Sequence, residues 1–215
     1  LTYGLNADND IRGENVKDMG LEGMSFDIVY GGGRITATIP SPGIHMVMNS
    51  LCAAAVGLTL GIEPELIKQG IESYAPVEGR MQIIKTQRLT LLDDSFNANP
   101  TSMAAAINIA CRASGRTVLI LGDMLELGEK GAEYHRNMGK KAVECGADIM
   151  IGKGPLMKNA CEETERAGIE TMHFDTSEDI MRALDNCLRD GDTVLVKASH
   201  GTNLKDVAEY IKANF

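Results

Sequence analysis

The first third of the chain combines short, partly alternating apolar segments with polar and glycine-rich breaks. Alternation typical of strands occurs in the segments 1–4, 11–19, 24–30 and 34–39. Gly31-Gly32-Gly33 lies between the last two segments and predicts a hairpin turn, because glycine permits positive φ. Apolar residues then recur at helical spacing in 45–60 and 64–73. The pattern predicts a small β-sheet followed by two helices.

After Gly79 the pattern changes to short apolar runs that alternate with amphipathic segments. Strands are predicted at 81–86, 89–93, 117–121, 148–151, 170–174 and 193–197. One helix is predicted to begin at Pro100, and others at 134–145, 155–167, 177–188 and 203–213. This order is typical of α/β proteins with a mostly parallel sheet and helices on both faces. We predict a Rossmann-like domain over 79–215, preceded by residues 1–78 as the end of another α/β domain.

Composition and charge narrow the class of protein. The chain has 215 residues, 44% of them hydrophobic and 24% charged, with a formal net charge of −9. Acidic charge argues against a broad nucleic-acid surface, because phosphate binding needs clustered Lys and Arg. Five cysteines without metal-ligand spacing suggest reduced thiols in a cytoplasmic protein and no metal site. No signal peptide and no membrane-spanning segment is expected.

Polar clusters follow three of the predicted strands. They are 93–97, 122–124 and 197–200, and ligands of open parallel sheets bind beyond the carboxyl ends of strands. In the first cluster an aspartate can accept hydrogen bonds from ribose hydroxyls, and Ser95 and Asn97 can bind a carboxylate or a peptide amide. Asn99-Pro100 also fits the start of a helix, so Asn99 is either a cap or a ligand.

Other candidates have two interpretations each. Arg80 at the predicted domain junction can bind phosphate or form an interdomain ion pair. His45 and Asn49, four residues apart, can contact an adenine ring or form the polar rim of a helix. For His135 a structural role at a helix start is favoured over a ligand contact. Neither a Walker A motif nor a complete dinucleotide fingerprint is present in the sequence.

Four runs of residues have the form of known motifs: 42–49 (PGIHMVMN), 76–80 (PVEGR), 93–100 (DDSFNANP) and 122–128 (GDMLELG). These runs resemble the motifs of the Mur ligases, the amide ligases of peptidoglycan synthesis. The resemblance covers the whole chain and is most specific in the last two runs. It is greatest to members that add D-alanyl-D-alanine to a UDP-N-acetylmuramoyl tripeptide.

The resemblance implies a three-domain enzyme that uses ATP and Mg²⁺ to form an acyl phosphate on the UDP-linked peptide. Residues 1–78 would then belong to the central ATP-binding domain and 79–215 to the C-terminal domain. The implied nucleotide-binding residues are His45 and Asn49 near adenine, Asp94 near ribose and Arg80 near the phosphates. The implied substrate-binding residues, close to the incoming dipeptide, are Ser95, Asn97, Asn99, Asp123, Lys197 and Ser199.

The chain departs from the family pattern at several positions. Lys197-Ala198-Ser199-His200 replaces a usual Lys-Gly-Ser-Arg, which argues against anion binding by this loop in the family's usual way, and Met46 replaces a frequent Asn. The phosphate loop and the main magnesium ligands are expected before residue 1, with the UDP-binding domain. No catalytic residue is therefore assigned in this chain, and we expect it to be inactive alone. The alternatives are a stand-alone nucleotide- or peptide-binding module, or a folate- or cyanophycin-type ligase.

Overall fold

The computed structural model describes residues 1–215, which divide into two units at Pro76 and Val77. The predicted boundary lies two residues later. Assignment of the two units to particular ligase domains stays a prediction. None of the helices is both long enough and apolar enough to cross a membrane.

The first unit is a four-stranded sheet covered by two helices. Its elements are β1 (Tyr3–Gly4), β2 (Ile11–Asp18), β3 (Met24–Tyr30), β4 (Gly33–Ile39), α1 (Ile44–Thr59) and α2 (Pro64–Glu72). The strands lie in chain order; β1 is parallel to β2, and β2, β3 and β4 form an antiparallel meander. The predicted glycine turn, strands and helices are confirmed, although the first strand is only two residues long.

Alternating residues of β3 and β4 form the core of this unit. Phe26 and Ile28 are fully buried on β3, and they belong to one cluster with Val47 and Leu51 of α1. Gly13 of β2 packs against the same helix, since a Cβ there would lie 3.1 Å from a methyl carbon of Leu51. The alternation of the strands and the helical spacing of α1 therefore bury one common apolar surface.

The second unit is a six-stranded sheet with helices on its faces. Its strands are β5 (Gln82–Lys85), β6 (Thr90–Asp94), β7 (Thr117–Gly122), β8 (Ile149–Lys153), β9 (Glu170–Phe174) and β10 (Thr193–Lys197). Its helices are α3 (Pro100–Arg112), α4 (Gly131–Cys145), α5 (Lys158–Arg166), α6 (Ser177–Cys187) and α7 (Lys205–Asn214). The strand order is β5-β6-β10-β7-β8-β9, and only β5 is antiparallel to its neighbour. The predicted mostly parallel sheet is confirmed.

The helices form two groups. Helix α4 contacts both α3 and α5, whereas α6 contacts α7. The α6 and α7 side chains Leu184 and Ile211 share an apolar cluster with Leu91, Ile120 and Val196 of three central strands. These strands are almost entirely buried, as expected for strands covered on both faces.

Three predicted helix starts differ from the structure by two or three residues, and the other predicted helix boundaries lie within one residue. Helix α4 begins at Gly131 rather than 134, because a 3₁₀ turn at Gly128–Lys130 leads directly into it. Helix α5 begins at Lys158 rather than 155, after a turn that follows Gly154 with φ +101°. Helix α7 begins at Lys205 rather than 203, because Asn203 has a positive φ of 55° and ends a 3₁₀ turn.

Burial of Cys161 in α5 generates a direct test of this packing. The side chain is 2% exposed, and its burial raises the pKa of the thiol to about 12. Because the thiolate is the reactive form, we expect alkylation at pH 8 to be roughly a thousandfold slower in the native chain than in urea. Iodoacetamide labelling followed by peptide mass spectrometry measures this ratio. Equal rates in the two conditions would contradict the packing of α5.

Candidate functional site

The three polar clusters lie at neighbouring strand ends in the second unit. Strand β10 lies between β6 and β7, and Lys197 pairs in register with Asp94 on one side and Leu121 on the other. Because these strands are parallel, their carboxyl ends meet at the same edge of the sheet. This edge is where an open α/β sheet binds its ligands.

A buried ion pair joins two of these strand ends. The Lys197 ammonium lies 2.6 Å from Asp94 Oδ2 and also donates to the Asn97 carbonyl at 2.7 Å. Asp94 Oδ1 accepts the N–H of Met81 at 2.9 Å. Burial raises the pKa of Asp94, and the Lys197 ammonium and the Met81 N–H oppose that increase. The pair thus connects β6, β10 and the residue that precedes β5.

Arg80 lies on the surface beside this pair. The backbone N–H of Arg80 donates to the Val77 carbonyl. The guanidinium carbon lies 4.1 Å from the centre of the Phe96 ring. The Phe96 ring is 44% exposed, and its centre lies 5.7 Å from that of His200 at a tilt of 43°. The loops after β6 and β10 therefore meet through two aromatic rings. Sequence reasoning assigned no role to Phe96.

Asp93 and Asp94 have different environments although they are adjacent. Asp93 accepts the Ser95 hydroxyl at 2.6 Å and pairs with Lys212 of α7 at 2.9 Å. Successive side chains of a strand point to opposite faces of the sheet, which separates the two carboxylates. Ser95 is 4% exposed, and its hydroxyl is engaged with Asp93. Its predicted contact with substrate stays a prediction.

Asn97 and Asn99 are both exposed, in the segment that leads to α3. The Asn97 Oδ1 accepts the N–H of Ala98 at 2.9 Å. Asn99 caps α3, because its Oδ1 accepts the Ser102 N–H while the Ser102 hydroxyl accepts the Asn99 N–H. The capping interpretation of Asn99 is therefore confirmed, and its role as a ligand stays a prediction.

Asp123 and Ser199 are buried side chains that connect loops. The Asp123 carboxylate accepts the N–H groups of Leu156 and Met157 at 3.2 and 2.7 Å, in the turn before α5. The Ser199 hydroxyl accepts the Leu125 N–H and donates to the Ala98 carbonyl. Asp123 also accepts the Ser199 N–H through its carbonyl. These contacts fix the loops after β7, β8 and β10 relative to one another.

His135 is completely buried at the start of α4. Its Nε2 accepts the Met124 N–H at 2.9 Å, so the proton is assigned to Nδ1, which donates to the Gly131 carbonyl at 2.6 Å. The structural role favoured for this residue is confirmed. The imidazole thus forms hydrogen bonds with the first and the last residue of the segment 124–131, and so ties this segment to α4. The sequence indicated that His135 lies near a helix start, but it did not indicate the hydrogen bond with Met124.

In the first unit His45 and Asn49 are exposed on α1. The Asn49 amide nitrogen lies 3.8 Å from the sulfur of Met46. Asn49 also lines an apolar groove of about 460 Å³ beside α1 and α2, whose other walls include Ile39, Ile67 and Tyr74. No group of three or more His, Cys, Asp or Glu side chains in residues 1–215 is arranged to hold a metal ion.

Comparison with known proteins defines the family. A family model described as the glutamate ligase domain of Mur ligases matches residues 79–200, more than half of the chain. The chain belongs to the Mur ligase family.

Individual relatives agree with this assignment. The UDP-N-acetylmuramoyl-tripeptide–D-alanyl-D-alanine ligase of Bacillus subtilis is 33% identical over 215 residues, which cover 97% of this chain and 46% of that relative. The corresponding ligase structure from Acinetobacter baumannii has a TM-score of 0.87 at 26% identity, covering 98% and 46% of the two chains. A MurF ligase of Thermotoga maritima in complex with ADP shares the fold, with a TM-score of 0.81, 21% identity and coverage of 99% and 48%. The chain spans about half the length of the curated relatives it matches.

The Asp94–Lys197 pair makes a prediction about stability. Replacing Lys197 with Met leaves the Asp94 carboxylate largely buried without its cation, so we expect the free energy of unfolding to fall by about 3 kcal/mol. Adding Asp94→Asn should restore part of the loss, because the amide carries no charge. Urea denaturation measures each value.

The matched control is Lys205→Met. The Lys205 ammonium lies 3.0 Å from Glu78 in an exposed pair, and its removal should leave the urea midpoint unchanged. If Lys197→Met and Lys205→Met gave the same midpoint, the buried pair would have no special role in this edge of the sheet.

Proposed function

We propose that this chain is part of an ATP-dependent amide ligase that adds D-alanyl-D-alanine to a UDP-N-acetylmuramoyl tripeptide during peptidoglycan synthesis. The curated relative from Bacillus subtilis is named as the ligase with this activity, and it matches nearly the whole chain. The observation that carries the proposal is the position of the runs 93–100 and 122–128 at the carboxyl ends of β6 and β7, which flank β10 at one edge of the sheet, together with the exposed Arg80. The ligase needs a nucleotide and two substrates at one site, and this edge offers several exposed polar groups.

The proposed reaction forms one amide bond. A carboxylate oxygen of the UDP-linked peptide attacks the γ-phosphorus of ATP, and ADP leaves as the acyl phosphate forms. The free amine of D-alanyl-D-alanine then attacks the acyl carbon. The tetrahedral intermediate loses phosphate, and the attacking nitrogen loses a proton. Water must be excluded from the acyl phosphate until the amine attacks, since water would hydrolyse it.

In this proposal residues 1–78 are the end of the central ATP-binding domain and residues 79–215 are the C-terminal domain. The match of the glutamate ligase domain to 79–200 supports the second assignment. The division of the structure at Pro76 and Val77 is consistent with both. The remaining parts of the ligase would be contributed by the part of the relatives' length that this chain does not match.

Four residues are proposed to contact the nucleotide. His45 and Asn49 are exposed on one face of α1 and offer hydrogen-bonding groups suited to adenine. Arg80 is exposed and offers a planar set of donors for phosphate oxygens. Each carboxylate oxygen of Asp94 has one partner within the protein, the Met81 N–H or the Lys197 ammonium. A carboxylate has about four acceptor sites, so Asp94 can also accept a hydrogen bond from a ribose hydroxyl. The complex of the Thermotoga maritima relative with ADP supports a nucleotide site in this fold.

The residues proposed for the dipeptide divide into two groups. Asn97 and Asn99 are exposed, so their amide N–H groups can reach a carboxylate or a peptide carbonyl. The other four are buried and act by holding the loops that carry the exposed groups: Ser95, Asp123, Lys197 and Ser199.

Magnesium enters this proposal as a partner of the ATP phosphates, whose negative charge it neutralises. The residues of this chain form no carboxylate or histidine cluster suited to that ion, so its protein ligands are proposed to come from elsewhere in the ligase. A cytoplasmic location is proposed because both ATP and the nucleotide-linked substrate are made there. The five unpaired cysteines are consistent with that location.

A ligase assay tests the proposal. We expect residues 1–215 alone to form no amide from ATP, UDP-N-acetylmuramoyl tripeptide and D-alanyl-D-alanine, because the sequence has no Walker A motif to bind the ATP β- and γ-phosphates. The longer polypeptide encoded in the same reading frame should contain such a motif upstream and should release one ADP for each amide formed.

Two results would count against the proposal. ATP-dependent amide formation by the 215-residue chain alone would mean that the phosphate site has been misassigned. An upstream reading frame without a phosphate loop would favour a binding module instead.

A further inference from the structure

Arg80 occupies an unusual turn. It lies between Gly79, with φ +69°, and Met81, with φ +49°. Left-handed backbone is uncommon for a residue other than glycine and persists only where the surroundings fix it. The left-handed backbone of Met81 therefore indicates that the chain directly after Arg80 is held by its neighbours.

The segment after β6 supplies those neighbours. The Met81 N–H donates to Asp94 Oδ1 at 2.9 Å, and the Phe96 N–H donates to the Gly79 carbonyl at 2.9 Å. A Cβ on Gly79 would lie 3.2 Å from the Phe96 nitrogen, so only glycine fits without displacing the segment. The backbone of the turn is thus attached to residues 94–96 on both sides of Arg80.

The side chain of Arg80 is held by the same segment. Its guanidinium carbon lies 4.1 Å from the centre of the Phe96 ring. A guanidinium stacked on an aromatic face is attracted to the ring while its N–H groups point outward in the plane. The Phe96 ring is itself near His200 of the next strand end, with 5.7 Å between ring centres. The ring is therefore supported from the loop after β10.

We propose that Phe96 is a positioning residue for Arg80: its ring holds the guanidinium flat, with the N–H edge available to the phosphates of the bound nucleotide. This inference rests on the proposed function, which assigns Arg80 to phosphate binding. Positioning before the ligand arrives reduces the side-chain entropy lost on binding. The effect of Phe96 on nucleotide affinity is then exerted entirely through Arg80.

The stack itself can be tested in the 215-residue chain by NMR of arginine side chains. In the wild type the Arg80 Hε resonance should be shifted upfield by the ring current of Phe96, and Arg80→Lys identifies that resonance by its loss. Phe96→Leu should return the resonance to its ordinary position, and Phe96→Tyr should keep the shift. An Arg80 resonance that does not move in Phe96→Leu overturns the proposal.

The function of the stack is tested in the complete ligase by the KM for ATP. We expect Arg80→Ala to raise this KM by more than tenfold, since a charge-assisted contact is lost. Phe96→Leu should raise it about fivefold with kcat within twofold, as a cation–π contact at an exposed site is modest. Phe96→Tyr should behave as wild type. The exposed neighbour Val77 provides a control, and Val77→Ala should leave both constants unchanged.

The double variant Arg80→Ala/Phe96→Leu separates positioning from general structural damage. If Phe96 acts through Arg80, the double variant has the KM of Arg80→Ala alone. A KM in the double variant that is a further fivefold higher than in Arg80→Ala overturns the proposal. An unchanged KM in Phe96→Leu also overturns it, provided that Arg80→Ala has raised the KM. If Arg80→Ala has no effect on KM, the phosphate role of Arg80 is wrong, whatever the NMR result. Should Phe96→Leu fail to fold, Phe96→Met replaces it with the same expectations.

Discussion

The ion pair between Asp94 and Lys197 is the contact on which the functional edge of the second unit depends. Removing two charges from water is costly, and a buried pair is tolerated only when further hydrogen bonds complete its geometry. Here the Met81 N–H and the Asn97 carbonyl supply those bonds. The pair therefore fixes the turn before β5, the end of β6, the end of β10 and the segment that leads into α3.

This arrangement separates buried groups that hold the loops from exposed groups that can meet ligands. Asp123, Ser199 and His135 bind backbone groups of neighbouring loops and are almost inaccessible. Arg80, in the turn before β5, and Asn97, in the segment after β6, are exposed to solvent. Preorganised loops would favour the proposed reaction, which must align a nucleotide with two substrates, because little motion is then needed to reach the reactive geometry.

Much of the fold could be predicted from the sequence, because apolar periodicity distinguishes strands from helices over most of the chain. The meeting of three polar clusters also followed from a general property of parallel sheets. Contacts between distant residues could not be predicted in this way. Nothing in the sequence indicates that Lys212 pairs with Asp93 or that His135 binds Met124, since these pairs form only after the helices pack. The separation of Asp93 from Asp94 could have been predicted, because successive side chains of a strand point to opposite faces of the sheet. The sequence analysis nevertheless placed the two residues in one cluster.

Amide hydrogen exchange of Met81 tests the central role of the ion pair most directly. The Met81 N–H precedes β5 and donates to the Asp94 carboxylate. If Asp94 is fixed by Lys197, this amide should exchange at least about a hundredfold more slowly than in an unstructured peptide. In Lys197→Met the protection should fall selectively at Met81 and Phe96, while central amides such as that of Leu119 keep theirs. Exchange of the Met81 amide at the unprotected rate in the wild-type chain would contradict the account.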